Sequence, residues 1–81
     1  MTKWKAIGVV IEGQEINIDG VNPWGLDWHK VENTPIRLPH PAYPSELHEM
    51  WVCRAESGGK TVTFAVGELS ANVFGFYVPD G

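Results

Sequence analysis

Alternation of apolar with polar positions marks several stretches of the chain as half-buried strands. In residues 3–19, Lys5, Ile7, Val9 and Ile11 fall on one face of an extended segment, and Ile16 and Ile18 on one face of the next. Glu12-Gly13 lies between them, and a two-residue loop there pairs Ile11 with Gln14, Val9 with Ile16 and Ile7 with Ile18. Opposed residues on antiparallel strands point the same way, so the four isoleucines and Val9 share one side of this expected hairpin. Glu15, Asn17 and Asp19 take the other.

Residues 46–79 read as a three-stranded meander. Val62, Phe64 and Val66 alternate with Thr61, Thr63 and Ala65, and Phe74, Phe76 and Val78 alternate with Val73, Gly75 and Tyr77. Gly58-Gly59 suits a type I′ turn, whose two central residues need positive φ. That turn sets Ala55 against Val62, Cys53 against Phe64 and Trp51 against Val66, and leaves Met50, Val52 and Arg54 on the opposite face. A three-residue loop, Glu56-Ser57-Gly58, gives a rival register pairing Val52 with Val62 and Met50 with Phe64. Residues 67–71 are read as the connection to the last strand, short enough for an adjacent antiparallel pair and for one helical turn.

The intervening residues 20–45 hold five of the six prolines, with two of the four tryptophans and two of the three histidines. Proline fixes φ and removes a ladder donor, which argues against a regular central strand through Pro35–Pro44. Asn22-Pro23 suits the start of a short helix. Trp24, Leu26 and Trp28 also alternate as a strand would, and Gly25 weakens both readings. The segment is expected to be a long, irregular crossover. These patterns together predict an all-β fold: a small antiparallel sheet of five to six strands, arranged as an open barrel or minimal sandwich. Trp51, Cys53, Val62, Phe64, Val66, Phe74 and Phe76 are expected to meet the isoleucine face, with Trp51 mostly buried.

Size and charge narrow the functions open to such a fold. With 81 residues there is room for one domain, 1–81, burying about 63 % of the surface its unfolded chain exposes. Ten acidic against six basic residues, with no basic cluster, disfavour nucleic-acid binding, which depends on grouped Lys and Arg. The groove that single-strand binding modules place beside their stacking rings is missing for the same reason. No apolar run approaches the roughly 20 residues that span a bilayer, and no secretion signal is read at Met1–Ile11, so no membrane role is expected. One cysteine, Cys53, allows no internal disulfide and suits a reducing, cytoplasmic setting.

Candidate chemistry concentrates in residues 38–48, where His40, Tyr43, Ser45 and His48 supply two imidazoles, a phenol and a hydroxyl on a proline-stiffened segment. The plainer reading makes this segment a shaped surface connection with Tyr43 packed beneath it. His29, His40 and His48 are spaced by 11 and 8 residues, unlike metal ligands on one turn, so no metal and no cofactor is expected. Cys53 lies between Trp51 and Ala55 in an apolar strand and reads as core rather than nucleophile. Ser45 has no nucleophile-elbow motif around it, and Gly58-Gly59 is not a phosphate loop.

The working surface is accordingly placed at Trp24, Trp28, His40, Tyr43 and His48. The expected function is a non-catalytic protein-interaction module of an inhibitor, immunity or accessory type. Its acidic residues Glu12, Glu15, Asp19 and Glu32 would steer a basic partner. A small enzyme or ligand-binding protein with a His/Tyr pocket at 40–48 is the competing class, and an open sheet also permits a homodimer through an edge strand.

Overall fold

The computed structural model describes residues 3–80. It contains six strands: β1 Trp4–Ile11, β2 Trp28–Lys30, β3 Ile36–Pro39, β4 Leu47–Ser57, β5 Lys60–Ser70 and β6 Val73–Pro79. They form one antiparallel sheet in the order β1-β6-β5-β4-β2, with β3 pairing β4, and the sheet does not close into a barrel.

The β4–β5 hairpin has the register that the Gly58-Gly59 turn demands. Trp51 faces Val66, Cys53 faces Phe64 and Ala55 faces Val62. Gly58 and Gly59 sit at φ 57° and 79°, as a type I′ turn requires. Residues 67–71 depart from expectation. β5 continues to Ser70, and the return to β6 is a tight turn at Ala71-Asn72, with Asn72 in the left-handed region at φ 63°. Asparagine tolerates that conformation, and its N–H donates to Glu68 Oε2 at 3.1 Å.

The expected hairpin of residues 3–19 is not formed. The chain does turn at Glu12-Gly13, where the Gln14 N–H donates to the Ile11 carbonyl at 2.8 Å, but β1 pairs with β6, 62 or more residues further on. A β-bulge between Ala6 and Gly8 shifts the register and inverts the alternation beyond it. Ile7 and Val10 therefore pack inward, while Val9 and Ile11 are 45 % and 62 % exposed. Ile16 and Ile18 are buried, but they reach the core from a segment laid over the sheet face. That segment closes on itself at Asp19-Gly20, where Ile18 and Val21 exchange hydrogen bonds of 2.8 and 2.9 Å.

Residues 20–45 are more regular than the irregular crossover expected. Asn22 caps a 3₁₀ turn at Pro23–Gly25, accepting from the Trp24 N–H. β2 and β3 then pair with successive stretches of β4, Cys53–Ala55 and Leu47–Met50, and residues 40–46 are the loop of the β3–β4 hairpin. β3 is a four-residue strand ending at Pro39, which fits the limits proline sets on a ladder.

Each sheet face carries its own core. On the first, Val10, Ile16, Ile18, Val21, Cys53, Ala55, Val62, Phe64, Val66 and Phe76 are buried together. On the second, Met50, Ala65 and Tyr77 are buried, with Trp4, Ile36, Leu38 and Leu69 packed against them. At Gly67 β5 runs close against β4: a Cβ there would collide with the Glu49 carbonyl and the Met50 side chain.

Candidate functional site

The residues expected to form one working surface lie in two groups. His40, Tyr43 and His48 come together at the β3–β4 hairpin loop, with ring centroids 5.0 Å apart for His40–Tyr43 and 5.5 Å for His40–His48. Trp24 and Trp28 lie with ring centroids 5.3 Å apart and planes tilted by 54° on the first face, against Phe64, Phe74 and Phe76. Trp28 is opposite Ala55 and His48 is opposite Leu38, so the groups are separated by about 20 Å of β4.

The hairpin loop is ordered by its own backbone. The His40 N–H donates to Glu46 O at 2.9 Å, and the Glu46 N–H donates to Tyr43 O at 2.9 Å. Ala42 N–H donates to His40 Nδ1 at 2.9 Å, which makes Nδ1 the acceptor and leaves the proton of the neutral ring on Nε2. His48 Nε2 lies 3.3 Å from Glu46 Oε1, a hydrogen bond in the tautomer protonated there. Pro39, Pro41 and Pro44 restrict the remaining freedom. Tyr77 holds the base of this hairpin onto the sheet, its hydroxyl donating to Pro39 O at 2.6 Å.

At the tip, Tyr43 and Leu47 are 60 % and 59 % exposed, unusual for side chains of that size. Tyr43 is therefore not packed beneath the loop. Glu46 is also exposed there, and Glu49 is exposed further along β4, opposite Arg37. The loop end of the hairpin presents exposed apolar and aromatic side chains beside the Glu46 carboxylate.

A second feature, absent from the sequence reading, is a cleft of about 410 Å³ in the first face. Trp28, Trp51 and Phe74 contribute rings to it, Cys53 and Val66 line its floor, and Lys30 and Glu68 stand at exposed positions. Ladder register explains the grouping: Lys30 is opposite Cys53, Trp51 opposite Val66, and Glu68 opposite Phe74, so all project from one face. Trp51 is mostly buried, as expected, and the part of its ring left open forms a wall of this cleft. Lys30 Nζ sits 3.7 Å from the centre of the Trp51 ring, a cation–π contact. Cys53 is a buried free thiol whose pKa is pushed up by desolvation and pulled partly back by the Lys30 charge. The strand alternation placed Trp51, Cys53 and Val66 on one face; Glu68 lay in the expected connection and joins them because β5 continues to Ser70, and Lys30 joins them through β2–β4 pairing, which leaves no local signal.

Among the described residues no group of three or more His, Cys, Asp or Glu side chains is arranged to hold a metal ion. No helix among them is long and apolar enough to cross a membrane.

No protein-family model matches the chain, and no solved structure matches it significantly. Over 73 residues, 88 % of this chain, it is 33 % identical to a chorismate synthase of Stenotrophomonas maltophilia (strain K279a). The chain spans 20 % of the length of that curated relative.

Proposed function

We propose that this chain is a non-catalytic protein-interaction domain, of an inhibitor, immunity or accessory kind, that docks its partner through the β3–β4 hairpin tip. The observation that carries the reading is the exposure of Tyr43 on the proline-stiffened loop together with that of Leu47 at the first position of β4. Large exposed side chains on a rigid support bind with little ordering cost, and tyrosine is among the residues that most often anchor interfaces. Glu46, Glu49 and the net charge of −4 favour a basic partner surface. Exposure of the phenol supports docking over the alternative of a His/Tyr catalytic pocket, which needs these groups converging in an enclosed site. The chorismate synthase likeness lends no activity to this reading, because it spans a fifth of that protein.

The test replaces Tyr43 with a photo-crosslinking phenylalanine in the native cell, with Lys60, on the β4–β5 turn, as the control position. A discrete adduct from position 43 alone is expected. The partner identified from it should bind the purified chain and lose at least about tenfold in affinity to the Tyr43→Ser/Leu47→Ser variant. Equal binding of wild type and variant would contradict the proposal.

A homodimer is a second arrangement with an observation of its own. β1 is the terminal strand of the sheet, with Val9 and Ile11 exposed, Lys5 towards one end and Glu12 just beyond the other. Antiparallel self-pairing would bring those opposite charges together. Sedimentation equilibrium tests it: a dimer dissociated by Val9→Lys supports the arrangement, and a monomer at all concentrations refutes it.

A further inference from the structure

We infer that the cleft between Trp28, Trp51 and Phe74 is a binding site for a small aromatic acid, a flat ring system carrying one carboxylate or sulfonate. This goes beyond the docking proposal, since the cleft and the hairpin tip share no residue.

Three features of the cleft argue for a ligand of that class. The first is shape. A volume of about 410 Å³ lies within the range of small-molecule sites, and the walls are mainly apolar and aromatic. The opening arises where β5 leaves β4, because Trp51–Val66 is the last pair of that ladder. Beyond it the rings of Trp51 and Phe74 are left half-buried, although a chain of this size has few large side chains with which to build a core. Flat rings on either side suit a flat guest through stacked or edge-to-face contact.

The second is charge. Among the described residues Lys30 pairs with no carboxylate; its ammonium rests over the Trp51 ring. That contact holds the charge at the cleft while leaving its hydrogen-bond donors free for an anion, and a bond between two charged groups is stronger than a neutral one. The third feature sets the number of charges. Glu68 lines the same cleft, and its carboxylate accepts from the Asn72 N–H at 3.1 Å. Anchored there, it repels a second anionic group and limits the guest to one, directed at Lys30.

The test uses 8-anilinonaphthalene-1-sulfonate as the anionic probe and N-phenyl-1-naphthylamine as its uncharged counterpart, titrated into the full chain with binding read by fluorescence and by the indole N–H signals in NMR. Saturable one-to-one binding of the sulfonate is expected, with shifts at the Trp28 and Trp51 indoles and none at Trp4. Lys30→Gln should weaken the sulfonate by at least about tenfold and the neutral probe by less than about twofold. Glu68→Gln should tighten the sulfonate and leave the neutral probe unchanged. Both positions are exposed, so both variants should fold, which circular dichroism verifies. The inference is overturned if Lys30→Gln leaves sulfonate affinity unchanged, if binding is not saturable, or if Tyr43→Ser/Leu47→Ser abolishes it while Lys30→Gln does not. That last result would place the probe at the hairpin tip, a different outcome from failure of the docking proposal.

Discussion

Tyr77 illustrates how a single side chain joins the two parts of the second face. It is 2 % exposed, it packs with Met50 and Ala65, and its hydroxyl reaches across to the end of β3. Tyr77→Phe keeps the ring and removes the bond, so a loss of about 1 kcal/mol is expected in urea unfolding at pH 7. Burial also raises the phenol's pKa above its ordinary value of about 10. The folded protein therefore holds this proton more tightly than the unfolded chain does. The stability it contributes is complete below about pH 10 and is lost as the pH climbs through the folded value. Tyr77→Phe should flatten that part of the alkaline decline; an unchanged slope would show that the phenol titrates freely. The Cys53 thiol has the same sign, since desolvation outweighs the Lys30 charge. Its reaction with iodoacetamide at pH 8 is expected to be at least about tenfold slower than that of free cysteine, and a rate equal to free cysteine would place the thiol in solvent.

The bulge in β1 decides which side chains of that element matter. Val10 and Ile11 are neighbours, and a regular alternation starting at Ile7 would bury Ile11 and expose Val10. With the bulge between Ala6 and Gly8, Val10 is 9 % exposed and Ile11 62 %. Val10→Ala is therefore expected to cost about 2 kcal/mol and Ile11→Ala less than about 0.5 kcal/mol, although isoleucine is the larger residue. The reverse order in equilibrium unfolding would restore the regular strand. On β5, Gly67→Ala must push aside the Glu49 carbonyl and Met50, at a cost of about 1–3 kcal/mol; a neutral result would mean that β4 and β5 separate easily there.

These elements also show what the sequence discloses. β4 and β5 were legible because turn chemistry and alternation are both local and agree, so Gly58-Gly59 and the Cys53–Phe64 pair fix each other. β1 was legible as a strand but not in its partner, since β6 lies far along the chain and a bulge carries no signature in alternation. Asp19-Gly20 was a stronger turn signal than Glu12-Gly13, and the tight turn with positive φ at both residues forms there. Ile16, Ile18 and Val21 then cover the face holding Phe64 and Phe76 in place of extending the ladder. Within the candidate site, the His40–Tyr43–His48 cluster followed from sequence proximity. The separation of Trp24 and Trp28 from it did not, because β2 and β3 pair with different stretches of β4.

At the scale of the whole molecule, the exposed area of 5265 Å² exceeds the roughly 4,900 Å² expected of a monomer of this mass. An open sheet accounts for the direction of the difference, and part of the exposed area is apolar. Val9 and Ile11 lie at the free edge of β1, Tyr43 and Leu47 at the hairpin tip. A small domain has little stability to spare, so side chains left out of the core are informative: they are available to a partner without loss to the fold. Urea unfolding of Tyr43→Ser/Leu47→Ser beside Phe64→Ala tests that division between core and partner surface. Phe64 is fully buried, and its truncation should cost about 3–5 kcal/mol, whereas the double variant at the tip should stay within about 1 kcal/mol of wild type. A double variant as unstable as Phe64→Ala would show that the tip is part of the core, and that its apolar side chains serve the fold instead of a partner.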